Sequence, residues 1–152
     1  MTKIILLADD DASVRETLGR VLELEHYEVV RAGGGLEAVA KFWSRPPDLV
    51  LLDLDMPDHN GWDAFDAMHR VAPRVPILII TAAPHQAKRA ALLGAVALME
   101  KPLHLPRLLQ IISDLLADSV ESRRARTTDQ PAKIHTLPAW PGAQPSCTGG
   151  AC

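Results

Sequence analysis

Asp48-Leu49-Val50-Leu51-Leu52-Asp53-Leu54-Asp55-Met56-Pro57 is the stretch on which the fold turns. Four consecutive apolar residues, Leu49–Leu52, stand between two carboxylates. A strand with one wet face would alternate apolar and polar residues. An unbroken apolar run reads instead as a strand covered on both faces, as in a parallel sheet. Two further runs share this character, Ile4–Ala8 and Ile77–Ile80, and weaker ones at Tyr27–Val30 and Val96–Met99 bring the set to five.

Amphipathic stretches separate them. Val14, Leu18, Val21 and Leu22 recur at helical spacing after Ser13, and Leu36, Val39, Ala40 and Trp43 follow the Gly33-Gly34-Gly35 turn. Trp62, Phe65 and Met68 follow Gly61; Ala87, Ala90, Ala91 and Leu93 follow Pro84. The last set, Leu108, Leu109, Ile111, Ile112, Leu115 and Leu116, follows Pro106, which suits a first helical turn. Five β-α units with short, right-handed connections predict an α/β domain, a parallel sheet with helices on both faces.

Composition divides the chain near residue 120. Residues 1–120 carry 17 acidic and 12 basic side chains, whereas 121–152 carry 2 and 4. The second segment holds Arg123-Arg124-Ala125-Arg126, then Pro131, Pro138, Pro141 and Pro145, without helical or alternating periodicity. It is expected to be a flexible, disordered tail, since it buries too little apolar surface to offset its ordering entropy. The net charge of −3 gives no basic excess for nucleic acid, and no apolar run approaches the roughly 20 residues of a membrane helix. With no signal-peptide pattern after Met1-Thr2-Lys3, a cytoplasmic location is expected. Cys147 and Cys152 both fall in the last six residues, so no disulfide framework is expected in the body.

In parallel α/β sheets, ligands bind beyond the carboxyl ends of the strands. The first strand ends in Asp9-Asp10-Asp11, the third in Asp53, the fourth in Thr81-Ala82-Ala83 and the fifth in Glu100-Lys101-Pro102. Each has an ordinary reading: Asp11 as a helix N-cap, Thr81 as a strand former, Lys101 as a surface lysine. Asp53 resists one, because a solvated face would not place a charge at the end of an apolar run. Asp9, Asp10 and Asp53 together read as an all-oxygen, hard-cation site, which favours Mg²⁺ over zinc. A carboxylate beside that ion can attack a phosphoryl group and form an aspartyl-phosphate. Lys101, the Thr81 hydroxyl and the Ala82 N–H can then supply positive charge and hydrogen bonds to its oxygens.

Taken together, these pieces resemble the receiver domain of two-component response regulators over residues 3–118. The matching motifs are Ile4-Ile5-Leu6-Leu7-Ala8-Asp9-Asp10-Asp11 with Arg15, Gly35-Leu36-Glu37-Ala38, the stretch from Asp48 to Pro57, Gly61, Pro76-Ile77-Leu78-Ile79-Ile80-Thr81-Ala82 and Lys101-Pro102. The resemblance implies a flavodoxin-like, doubly wound, five-stranded parallel sheet of order 2-1-3-4-5 with five helices in residues 1–120. It implies that Asp53 is the phosphoacceptor and that Asp10 and Asp53 ligate Mg²⁺ directly. Asp9 would act through water, and the Asp55 main-chain carbonyl would complete the ligands. Thr81 would follow the phosphoryl group, Lys101 would pair with it, and Pro57 and Gly61 would shape the loop beyond Asp53. The chain departs from the family at Leu98, where Tyr or Phe is usual, and at Leu103, where Phe is usual. Relay through an aromatic rotamer is therefore not expected. Ala83, two residues past Thr81, is small and would leave the site open to water.

The expected function is that of a stand-alone response regulator, a phosphoacceptor rather than an enzyme, since 32 residues after position 120 cannot hold an ordinary effector domain. Its expected partners are a histidine kinase or phosphotransfer protein and a downstream protein, without a DNA-binding domain or membrane. A homodimer through the fourth helix, fifth strand and fifth helix belongs to the same resemblance. The alternatives are a phosphohydrolase using the Asp53-Leu54-Asp55 pair, and a receiver that binds partners independently of phosphorylation. Trp62 is expected near the site; His59 and His85 flank the rim without a ligand spacing, and Trp140 is a candidate docking element.

Overall fold

The structure, a computed structural model, describes residues 2–56, 61–82, 87–117 and 135–137. Strands β1 (Ile4–Ala8), β2 (Glu28–Ala32), β3 (Leu49–Asp53), β4 (Ile77–Thr81) and β5 (Ala97–Glu100) alternate with helices α1 (Ala12–Leu24), α2 (Gly35–Ser44), α3 (Gly61–Val71), α4 (Ala87–Leu93) and α5 (Leu105–Ala117). A sixth strand, β6, spans His135–Leu137. Every pairing is parallel, and the order is β2-β1-β3-β4-β5-β6. Within it lies the expected 2-1-3-4-5 sheet with its five helices.

The two-residue period of a strand sorts the core into two layers. Leu6, Ala8, Val50, Leu52, Ile77, Ile79 and Leu98 face one side, where they meet Phe42 of α2, Phe65 and Met68 of α3 and Ala90 of α4. Ile5, Leu7, Leu49, Leu51, Leu78, Ile80 and Met99 face the other, against Leu18 and Leu22 of α1 and Leu108 and Ile112 of α5. All five residues of β3 and all five of β4 are buried. Two-sided burial is why the decisive run does not alternate.

Local signals set the helix ends. Asp11 caps α1, its carboxylate accepting from the N–H groups of Ser13 and Val14. Gly94 closes α4 in the left-handed region at φ +95°, with its N–H on Ala90. Gly61 opens α3 against the backbone beyond β3. A Cβ there would lie 2.6 Å from Leu54 Cα, so only glycine lets the helix start so close to Asp53.

The expectation of a wholly irregular tail needs correction at three residues. His135, Thr136 and Leu137 pair with Ala97, Leu98 and Met99 along the outer edge of β5. A sheet edge exposes a row of unpaired N–H and C=O groups, and a short segment with a β-branched centre can satisfy them without a core of its own. The other tail features named above, from Arg123 through Arg126, Trp140, Cys147 and Cys152, lie outside the described residues, as do Pro57, His59, Ala83 and His85.

Candidate functional site

The carboxyl ends of β1, β3, β4 and β5 form one rim. Register Ala8↔Leu52 sets Asp9, the residue just past β1, beside Asp53. Asp53 itself pairs with Ile80, one residue before Thr81, and Thr81 pairs with Glu100, one before Lys101. Four chain segments far apart in sequence thus deliver their polar residues to neighbouring points.

Asp53 is 1% exposed and Asp9 is 2% exposed. One Asp53 oxygen, Oδ1, accepts the Asp55 N–H at 2.9 Å; the other, Oδ2, accepts from Lys101 Nζ at 3.0 Å. Asp9 Oδ1 accepts the Asp11 N–H at 2.9 Å, and the Arg15 guanidinium donates to the Asp9 carbonyl at 2.7 Å. That contact ties the first turns of α1 to the end of β1. Thr81 is fully buried at the end of β4, and its carbonyl accepts the Lys101 N–H at 2.8 Å.

Asp9, exposed Asp10 and Asp53 each offer a carboxylate oxygen, and these lie within 4.8 Å of one another. Among the described residues the only ion pair to this trio comes from Lys101. Burial pushes the Asp9 carboxyl up to about 6; the Asp11 N–H pulls it down, while the charge of Asp53 pushes it up. Burial alone would lower Lys101, but the hydrogen bond and charge of Asp53, with Asp9 and Asp55 behind it, hold it above the ordinary lysine value. Two buried carboxylates and one exposed one against a single ammonium leave an excess of negative charge. A hard divalent cation fits that donor set.

The sequence reading placed Asp9, Asp10, Asp53 and Lys101 together, and the geometry does so. Asp11, read from the sequence as a helix N-cap, caps α1. The reading of Ala82 needs an addition, because the Ala82 N–H is already taken: it donates to Asp55 Oδ2 at 2.9 Å. This use of the Asp55 side chain was not foreseen. The residue's place two positions past Asp53 was visible, but which way a loop side chain turns is set by the neighbouring strand. Trp62 stands at the start of α3, 7% exposed, edge-on to Phe65, with the Arg89 guanidinium 4.8 Å above its ring. Leu98 is fully buried among the residues facing α2, α3 and α4, so no large side chain there is poised to swing. An apolar groove of about 630 Å³ opens beside Lys101, between α1 and the start of α5.

Comparison with known proteins agrees with this geometry. The family model described as the response regulator receiver domain matches residues 5–113. Response regulator MprA of Mycobacterium bovis is 35% identical over 136 residues, covering 85% of this chain and 59% of MprA. The chain therefore spans little more than half of that relative. A CheY-like receiver domain protein from Methanospirillum hungatei superposes with a TM-score of 0.74 at 26% identity, covering 83% of this chain and 99% of that one. TrrA from Thermotoga maritima, a response regulator solved in complex with Mg²⁺ and BeF, gives 0.70 at 31% identity over 75% and 99%.

Proposed function

The chain belongs to the response regulator receiver domain family, and from that footing we propose that it is a phosphorylation-controlled switch with Asp53 as the phosphoacceptor. One observation carries this reading: buried Asp53 is held by Lys101 Nζ at 3.0 Å while Asp9 and Asp10 stand within reach of the same point. A histidine kinase or phosphotransfer protein is the proposed donor, presenting phosphohistidine. An Asp53 carboxylate oxygen attacks phosphorus as the P–N bond breaks, and the imidazole leaves with the electron pair. Asp9, Asp10, Asp53 and the Asp55 main-chain carbonyl would hold Mg²⁺, which when bound neutralises charge on the transferring group.

Lys101 has three donors, so it can keep its bond to Asp53 and also take a phosphoryl oxygen. The Thr81 hydroxyl, at the end of β4, is the proposed neutral donor to a second oxygen. The groove beside Lys101 gives the donor protein a surface next to the acceptor. Phosphorylation adds about −1.5 to −2 charge, which rebalances Thr81 and Lys101 and biases the neighbouring loops and helices. Leu98 supplies no aromatic to carry that change, so the output is proposed to travel through loop and helix position. The output itself is proposed to be altered contact with a downstream protein or a second copy through the α4, β5 and α5 face, whose sheet edge β6 covers, with no substrate turned over. The hydrolase alternative would use the Asp55 carboxyl as an acid or base; its engagement with the Ala82 N–H counts against that.

Treatment with a small acyl phosphate and Mg²⁺ should raise the intact mass by one phosphoryl group, and Asp53→Ala should abolish the gain. A mass gain that survives Asp53→Ala would place the acceptor elsewhere. Repeated turnover of a phosphate ester would favour the hydrolase.

A further inference from the structure

We propose that the Asp55 carboxylate is a built-in competitor for the phosphoryl group, holding the Ala82 N–H until phosphorylation displaces it. The inference rests on the proposed role of Asp53. It concerns a side chain that this role leaves unused, since only the main-chain carbonyl of Asp55 is assigned to the ion.

Residue 55 is tied to the acceptor at one end and to β4 at the other. Its N–H donates to Asp53 Oδ1 at 2.9 Å, and its Oδ2 accepts the Ala82 N–H at 2.9 Å. The Ala82 amide thus lies two hydrogen bonds from the acceptor, immediately past Thr81. In the unphosphorylated rim, the Lys101 ammonium is met by Asp53 and the Ala82 amide by Asp55. These donors differ in capacity. An ammonium has three hydrogens and can serve an old and a new partner together; a backbone amide has one. The two acceptors therefore compete at Ala82: a phosphoryl oxygen on Asp53 gains the full bond from that N–H as the Asp55 carboxylate gives it up. The two acceptors are also of like charge, so the arriving group repels the resident one. Asp55 is exposed and can return to water, so displacement is affordable and the competition is graded rather than a block. A side chain that favours the unphosphorylated state shifts the equilibrium by its differential interaction with the two states and no more.

The test uses the full chain at saturating Mg²⁺, titrated with beryllium trifluoride as the phosphoryl mimic. Asp55→Ala should bind it about three- to tenfold more tightly than the parent, the span expected for one hydrogen bond released from competition. Asp55→Asn keeps an acceptor oxygen but loses the charge, and should fall between them. The amide resonance of Ala82, followed by NMR, separates a latch from a general field effect. It should shift upfield in unliganded Asp55→Ala, and the saturated parent and variant should converge. Equal or weaker binding by Asp55→Ala overturns the proposal, as does an Ala82 resonance unmoved by the substitution. Should Asp55→Ala fail to fold, Asp55→Asn carries the same test, and tightening is again required. If the parent takes up no mimic at all while remaining folded, the role of Asp53 fails and this inference fails with it; binding that ignores residue 55 sinks the inference alone.

Discussion

Strand β3 begins after Asp48 and ends in Asp53, and the two carboxylates do opposite things. Half-buried Asp48 accepts the Ile4 N–H at 2.8 Å while its own N–H donates to the Ile4 carbonyl at 2.8 Å. Its charge is satisfied by a backbone donor at the start of the sheet, and it fastens β3 to β1. Asp53 sits where the same two strands end, buried beside another buried carboxylate, and among the described residues a single ammonium pairs with it. One end of the sheet resolves its electrostatics internally. The other leaves them unresolved, which is unfavourable for stability and useful for chemistry.

Substitution at the two ends should separate these roles. Asp53→Asn should remove phosphoryl uptake altogether, whereas Asp48→Asn should leave its rate within about twofold, both read by intact mass against time. If Asp48→Asn lost uptake as fully, the two ends would not be distinct. Lys101→Met should slow uptake by about 100-fold, the scale of losing one donor to developing charge. No comparable loss is expected from Arg31→Met, whose guanidinium pairs with Glu23 of α1 at 2.8 Å.

Protons should act on the rim. Asp9 must be ionised to favour a divalent ion, and with its carboxyl near 6 the apparent Mg²⁺ affinity should fall about tenfold between pH 7 and pH 5. Trp62 fluorescence is a suitable reporter. The stability of the metal-free fold should move the other way. A carboxyl raised above its unfolded value contributes stability that is full below about 4 and is lost as pH rises through 6. The difference in stability between the parent and Asp9→Asn should therefore change by about 1–3 kcal/mol across that window. A flat difference would mean that Asp9 carries no such burden.

The smallest effect is on stability at neutral pH. Asp48→Ala should destabilise the metal-free chain by about 1 kcal/mol, leaving the Ile4 N–H without its side-chain partner. Asp53→Asn should stabilise it by a similar amount, since the repulsion with Asp9 is relieved. Chemical denaturation of both variants checks the opposite signs; equal signs would erase the contrast.

Most of the fold was legible because it rests on local rules. Unbroken apolar runs marked β1, β3 and β4, helical spacing marked the five helices, and Pro106 fell in the first turn of α5 as expected. The strand-end acids were legible for the same reason, as charges interrupting runs that otherwise exclude them. β6 was not: His135-Thr136-Leu137 carries no pattern that distinguishes it from the residues around it, and only the open edge of β5 gives it a partner. Nor was the turn of Asp55 toward Ala82, 27 residues away in sequence, because spacing along the chain does not specify a loop side chain's direction.

The order of apolar and charged residues alone determined the alternation of strands and helices, the parallel sheet and the four strand ends that carry chemistry. These follow from periodicity and from the exclusion of charge from buried runs, both properties of neighbouring residues. Tertiary structure decided that Lys101 meets Asp53 at 3.0 Å, that Asp55 occupies the Ala82 amide and that a tail segment closes the β5 edge. Each of these depends on strand register, which brings distant residues to ångström separations that one chain segment does not contain.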